Sequence, residues 1–551
     1  MRPARVLPIA LAATLALAPA TSRAADALAQ PVDSSTWVDH DGRPVAQPKL
    51  HETNLVGHQF REAILEPWSH AFDVPDKILW LLGPLGASRK HPAINVNRYD
   101  EVPNSEWFTN RNHVRSVPPD EIRLGPKGDL VPKPPFTVSK PKTEGSTPGF
   151  QVKDADGKKW LFKGDPVGFP QLASGADAIS LRLTWAAGYN LPHNVPVRVR
   201  REDLKIDKDL EEGKEGKPFH DVDLDQLLTR GHRYEDGSSS MYASLFLEGA
   251  PVGPISARDR RRDDPNDLYS HRNRREWRGL YVVMSWLDSW DTKDQQYLDM
   301  FLAPEKGQPG HVKHHVLDVG ASLGAEAEGG KEPHRGYEYT LDWAWMARRL
   351  FSLGFAVEPW RRAHQETGIP SVGNFAYDVY EPDKFHTLQP QAAFRERTKA
   401  DGYWGAKLVC SFSDAQIRAA VDAAHYDDPR ATEYITRALI ERRNKVGRYW
   451  FGEVTPVDFF SVADGELRFH DLAVDRGLAP DRHYRVEVRP DRGARRTLDL
   501  DRTRLALSSL DPAWKSVRLE FRAGGSDARP TRVDLERRGE SWAIALVRHG
   551  E

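Results

Sequence analysis

The sequence predicts an α+β protein with a β-rich lobe, a helical lobe and a small all-β, sandwich-like module behind them. Three observations carry that expectation. Apolar residues alternate on both sides of an Asp-Gly pair at 156 and 157, large apolar residues fall at helical spacing from Arg274 to about residue 449, and the period returns to two from about Gly465. At 551 residues the chain is long enough for two to four domains with separate cores.

The N-terminus comes first. Arg2 and Arg5 precede an apolar run from Val6 to Ala18, and Ser22 and Ala24 are small residues at the −3 and −1 positions of a cut. This is the pattern of a secretory signal peptide over residues 1–24, so the mature chain is expected to be exported, periplasmic or extracellular. No later stretch approaches 18 uninterrupted apolar residues, so no transmembrane segment is expected. The lone Cys410 allows no intrachain disulfide and no lipid anchor near the cut. Its apolar neighbours mark a buried thiol rather than a nucleophile.

Residues 25–142 read as an irregular N-terminal layer ending in a Pro-rich linker, since Pro118, Pro119, Pro126, Pro132, Pro134, Pro135 and Pro141 disfavour regular elements there. A β-rich lobe follows over 143–256. It starts with a hairpin that carries Phe150 and Val152 on one arm and Trp160 and Phe162 on the other, then a helix through Ala178, Ile179, Arg182, Leu183 and Ala186. The helical lobe is placed at 257–462. Trp277, Leu280, Tyr281, Met284 and Leu287 share one helix face, and further helices are expected at about 340–353, at 414–425 behind a Ser413–Gln416 capping box, and at 429–449 with Asp428 as cap. The β module spans 463–551.

Composition excludes some partners. The net charge is −2, and arginine-rich stretches such as "RDRRRDD" are interleaved with acids, so no nucleic-acid partner is expected. His311, His314 and His315 in "HVKHHV" have zinc-compatible spacing but no cysteine partners, and read as a strand edge.

The chemistry concentrates after the buried helix, in "WLDSWDTKDQQYLD" (residues 286–299). In a loop leaving a helix, Asp291 can accept a proton from an attacking hydroxyl, Lys293 can touch a transferring phosphoryl group, and the Gln296 carboxamide oxygen can face a metal. Asp318 in "LDVG" leaves an apolar run before a glycine-rich bend, a position suited to a Mg²⁺-binding carboxylate. Lys163 ends the second hairpin strand where its ammonium can reach phosphates, and Asp177 on the next helix can hold it in place. Gly145 and Ser146, in "EGSTPGF", supply a flexible, hydroxyl-bearing loop for close approach to phosphate.

The order of these pieces resembles the protein-kinase-like superfamily, over about residues 143–460. The "DTKDQQ" and "GSTPGF" forms look most like the branch holding HipA-type and phosphoinositide kinases. The resemblance implies a two-lobed kinase-like core that uses ATP or another nucleotide with Mg²⁺ and transfers phosphate to a hydroxyl acceptor. It implies Asp291 as catalytic base beside Lys293, Lys163 as phosphate lysine with Asp177 as its partner, and Asp318 with Gln296 as metal ligands. Two departures stand out: Gln296 replaces the usual Asn and Asp177 the usual Glu. They favour the alternative, a catalytically inactive kinase-like scaffold or ligand-binding protein of the cell envelope, docking an envelope partner through the β module. The retained Lys163, Asp291 and Asp318 favour the phosphotransferase.

Overall fold

The computed structural model describes residues 41–51, 90–142, 147–214, 216–362 and 367–550. The expected signal peptide, together with Gly145 and Ser146, lies outside them. The class is mixed α+β, and no described helix is long and apolar enough to cross a membrane.

A six-stranded sheet forms first, in the order β4-β6-β3-β2-β1-β5. Its strands are β1 (Phe136–Pro141), β2 (Gly149–Lys153), β3 (Lys159–Gly164), β4 (Asn194–Val199), β5 (Leu204–Ile206) and β6 (Ser239–Leu245). The hairpin pairs Phe150 with Phe162 and Val152 with Trp160, and all four side chains are buried on one face. The Asp-Gly turn places Gly157 at φ +77°, a conformation open to glycine without a Cβ clash.

Here the expected linker differs from what forms. Residues 136–141 make β1, antiparallel to β2 and parallel to β5. The prolines permit it because Pro134 and Pro135 precede the strand and Pro141 ends it, so no interior ladder donor is lost. β5 is a three-residue strand at the sheet edge beside β1. The lobe boundary at 256/257 is also bridged: β7 (Ala250–Pro254) pairs with β8 (Tyr297–Leu302), which pairs with β9 (His311–Val316). β9 is the edge of that sheet, with His314 hydrogen-bonded to Asp299 at 2.6 Å.

The helix Leu172–Ala187 packs behind the six-stranded sheet and enters the main core. That core also holds the helices Arg275–Leu287, Lys399–Cys410, Asp414–Asp422 and Pro429–Glu453. The capping box at Ser413 and Gln416 is formed, and Asp428 caps the last of these helices with Pro429 at its first position. Two glycines let the helices Arg275–Leu287 and Lys399–Cys410 cross closely. A Cβ on Gly405 would stand 2.7 Å from the Gly279 carbonyl, and one on Gly279 would stand 2.6 Å from the Trp404 ring.

The described part of the segment before the sheet, residues 41–51 and 90–135, is irregular apart from short helices at Asn112–Arg115 and Pro119–Leu124. It is far from loose, because Trp107 and Phe108 are buried in the main core and Trp107 stacks on His314 at 3.5 Å. Asp100 accepts hydrogen bonds from Arg275 at 3.0 Å and from the backbone N–H of His549 at 3.0 Å. Glu101 accepts from Trp404 at 2.9 Å and from Lys407, and the Lys407 ammonium also donates to Asp458 at 2.8 Å. All these charged groups are buried. Each is therefore tolerable only because its partner is in place.

The C-terminal strands begin earlier than expected, at β12 (Val457–Ala463), after a two-residue-strand hairpin of β10 (Ala325–Glu326) and β11 (Gly329–Gly330) in the middle of the chain. The boundary placed at 463 falls at the turn of the β12–β13 hairpin (β13, Glu466–Asp471), whose third partner is β16 (Arg504–Ala506). A five-stranded antiparallel sheet follows in the order β15-β14-β17-β18-β19, with β14 Tyr484–Pro490, β15 Arg496–Leu500, β17 Ser516–Ala523, β18 Thr531–Arg538 and β19 Ser541–His549. Phe460 and Phe469 from the first sheet meet Phe521 from the second, so the two sheets share one hydrophobic cluster.

Candidate active site

Five separate elements bring polar side chains to one place. Lys163 projects from β3, Asp177 from the helix Leu172–Ala187, Tyr242 from β6, Asp318 from the turn after β9, and Asp291 from the loop after the helix Arg275–Leu287. The pleat explains part of this, because Lys163 and Tyr242 are direct cross-strand partners and paired residues share a face of the sheet.

The Lys163 ammonium lies 2.9 Å from Asp318 Oδ2 and 5.3 Å from the centre of the Tyr242 ring. Burial alone would discharge this lysine, but the Asp318 carboxylate beside it raises its pKa and keeps it charged. Asp318 Oδ1 accepts the Gly320 N–H at 2.9 Å. Against the burial that would raise it, Lys163 holds the Asp318 carboxyl below its ordinary range, and Lys142 adds to this from beside the loop that precedes β2.

The expected Lys163–Asp177 pair is not what forms: the ion-pair partner of Lys163 is Asp318. Asp177 Oδ1 instead accepts a hydrogen bond from Asn194 at 2.7 Å, and its Oδ2 is buried with no hydrogen-bond partner. A physical reason is visible in side-chain length, because aspartate is one methylene shorter than the glutamate the resemblance would place there. Asp177 still faces the site, since a Cβ added to Gly320 would stand 3.2 Å from Asp318 Oδ1 and 3.5 Å from Asp177 Oδ2. Burial, together with the Asp318 charge, pushes the Asp177 carboxyl up to about 7.

That shift has a sign. A carboxyl that ionises near 3.8 in the unfolded chain and near 7 in the folded one holds its proton only in the folded state between those values. Its contribution to stability is therefore full below about pH 4 and is lost as pH rises towards 7. Asp177→Asn is expected to gain melting temperature relative to the wild type as pH is raised from 5 to 8. A constant difference across that range would mean that Asp177 is ionised throughout.

The loop carrying Asp291 is tied to the loop carrying Asp318 by the backbone. Leu317 N–H donates to the Gln296 carbonyl at 2.8 Å, and Leu323 N–H donates to the Leu287 carbonyl at 2.9 Å. Ser322 in turn meets Ser180, on the helix of Asp177, at 2.7 Å. Asp291 Oδ2 accepts from Lys293 at 3.2 Å and from the Gln296 amide at 3.0 Å. Burial raises the Asp291 pKa; Lys293 opposes the rise and the Asp318 charge adds to it. Lys293 also lines a small, open depression with Ser256, Arg258, Thr292 and Gln391.

The donor atoms suit a hard divalent cation. Asp318 offers carboxylate oxygens, and Asp177 Oδ2 is a buried oxygen awaiting a partner. Among the described residues no three His, Cys, Asp or Glu side chains gather closely enough to hold an ion by themselves. Tyr242 and Asn194 were not foreseen. Tyr242 follows from the strand register once β6 is placed beside β3, whereas nothing in the sequence around Asn194 points to the site.

Neither a family model nor a curated protein matches the chain. Among solved structures it is similar to the Golgi casein kinase, at 9% identity and a TM-score of 0.27, over 77% of this chain and 95% of that one. It is also similar to the Golgi casein kinase with Mn/ADP bound, at 10% identity and a TM-score of 0.25, over 74% of this chain and 93% of that one. Overlaps this low carry no weight, and function rests on the geometry of the chain itself.

Proposed function

We propose that the chain is an exported, kinase-like phosphotransferase that uses Mg²⁺ and a nucleotide such as ATP to phosphorylate a hydroxyl acceptor. The reading rests on one observation: the Lys163–Asp318 ion pair, with Asp177 and Asp291 beside it, is assembled from residues up to 155 positions apart. In this reading the core is two-lobed, closest in motif to HipA-type and phosphoinositide kinases, and the C-terminal strands are a module for an envelope partner.

When bound, the metal and nucleotide supply the phosphoryl group and neutralise its charge. The residues divide the remaining work. Lys163 would orient phosphate oxygens, Asp318 and Gln296 would hold the cation with Asp177 Oδ2 beside them, and Asn194 would keep Asp177 in place. Asp291 accepts the proton of the acceptor hydroxyl, and its burial favours that role, because a carboxylate with a raised pKa is a stronger base. Lys293, hydrogen-bonded to this base, would steady its carboxylate beside the transferring phosphoryl group.

Calorimetric titration of the mature protein tests this directly. Nucleotide is expected to bind only with Mg²⁺ present, and Asp318→Asn to weaken that binding by tenfold or more. One observation favours a second reading, an inactive kinase-like scaffold: the Gln296 amide and the Lys293 ammonium both occupy Asp291. A wild type that binds no nucleotide would leave that reading standing.

A further inference from the structure

One row of residues across the six-stranded sheet holds a second lysine, to which the proposed chemistry gives no work. Lys163 pairs with Tyr242 on β6 and with Gly149 on β2. Beyond Gly149, the register that sets Pro141 opposite Phe150 brings in Lys142, whose N–H donates to the Gly149 carbonyl at 2.9 Å. Paired residues share a face, so Lys142 lies on the same side of the sheet as Lys163 and Tyr242.

Gly149 is the gap in that row. A Cβ there would stand 2.3 Å from the Phe162 carbonyl oxygen, 3.4 Å from Lys142 Cδ and 3.4 Å from Lys163 Cα. The missing side chain therefore lets the Lys142 stem lie across β2 towards Lys163. Its ammonium donates to the Thr147 carbonyl at 2.9 Å. Against burial, and after Lys163, its charge helps to hold the Asp318 carboxyl below its ordinary range. Burial keeps Asp177 protonated up to about pH 7, and Asp291 already has Lys293 at 3.1 Å. Two ammonium groups thus face the single carboxylate of Asp318, and the row carries an excess of positive charge.

We propose that Lys142 is a second phosphate-binding residue, which with Lys163 grips a chain of phosphates rather than a single one. The inference deepens the phosphotransferase reading and rests on it for the identity of the ligand as a nucleotide. The two ammonium groups have separate anchorages, Asp318 for Lys163 and the Thr147 carbonyl for Lys142, so a ligand that touches both must be extended. A lysine is suited to this, because its ammonium is a point charge on a flexible stem. A hydrogen bond to an ionised oxygen is about twice as strong as one to a neutral carbonyl, so a phosphate oxygen displaces Thr147.

Calorimetric titration of the mature protein with inorganic triphosphate, inorganic phosphate and ATP, each with Mg²⁺, tests the assignment. Triphosphate is expected to bind at least tenfold more tightly than phosphate. Lys142→Met, which keeps the stem and removes the charge, is expected to lower triphosphate affinity by about tenfold or more, whereas Lys142→Arg stays within about threefold of the wild type. Added salt should weaken triphosphate binding less in Lys142→Met than in the wild type, because one screened attraction is gone. The proposal is overturned if the wild type does not bind triphosphate, if phosphate binds as tightly, or if Lys142→Met binds triphosphate as the wild type does. Equal losses in Lys142→Met and Lys142→Arg also overturn it, since they would make Lys142 a brace for the loop. ATP separates the two readings. Triphosphate binding that depends on Lys142, without binding of ATP, upholds the pair of lysines and ends the phosphotransferase reading; ATP binding that Lys142→Met leaves unchanged does the reverse.

Discussion

Asp291→Asn is expected to lower phosphate transfer by about 10²-fold or more while leaving nucleotide affinity and melting temperature close to wild type. The selectivity follows from where Asp291 acts. Its contact with the acceptor proton strengthens in the transition state, whereas the nucleotide would be held by Lys163 and Asp318. An asparagine can still accept the hydrogen bonds that Lys293 and Gln296 give to Asp291 Oδ2, so the loop keeps its shape. A single-turnover assay against envelope extracts, paired with calorimetry, separates the two quantities. Transfer that survives the substitution would move the base to another residue.

Lys407→Met is expected to destabilise the fold by roughly 3–5 kcal/mol, the usual cost of removing one partner from a buried ion pair. Lys407 is the cation between Glu101 and Asp458, and all three are buried. Without it two carboxylates face each other in a dry interior. The midpoint of urea denaturation measures the loss, and adding Glu101→Gln to Lys407→Met should recover part of it by removing one of the unpaired charges. A loss below about 1 kcal/mol would mean that water reaches these groups and screens them.

The hairpin, the amphipathic helix Arg275–Leu287 and the caps at Ser413 and Asp428 are readable from the sequence because their signals are local, in periodicity and in side-chain-to-backbone hydrogen bonds. β1 is not, because its prolines outweigh the short alternation of Phe136, Thr137, Val138 and Ser139 until β2 is present to pair with it. The candidate site divides in the same way. Motif order places Lys163, Asp291 and Asp318, but no spacing rule decides which acid the lysine meets, since that depends on side-chain length and on the Asn194 amide that holds Asp177 aside. Arg275, Asp100 and His549 meet across more than 400 positions, and such a triad has no sequence signature at all.

That triad also bears on the order in which the chain can be finished. Asp100 is ion-paired on one side with Arg275 and hydrogen-bonded on the other to His549, at the end of β19. The neighbouring N–H of Val547 donates to the Arg98 carbonyl at 2.7 Å. Ribosomal synthesis delivers Asp100 long before either partner, and β19 last. The interior that encloses these charges is therefore completed only once β19 is in place, and a form lacking that strand leaves Asp100 with Arg275 but without His549.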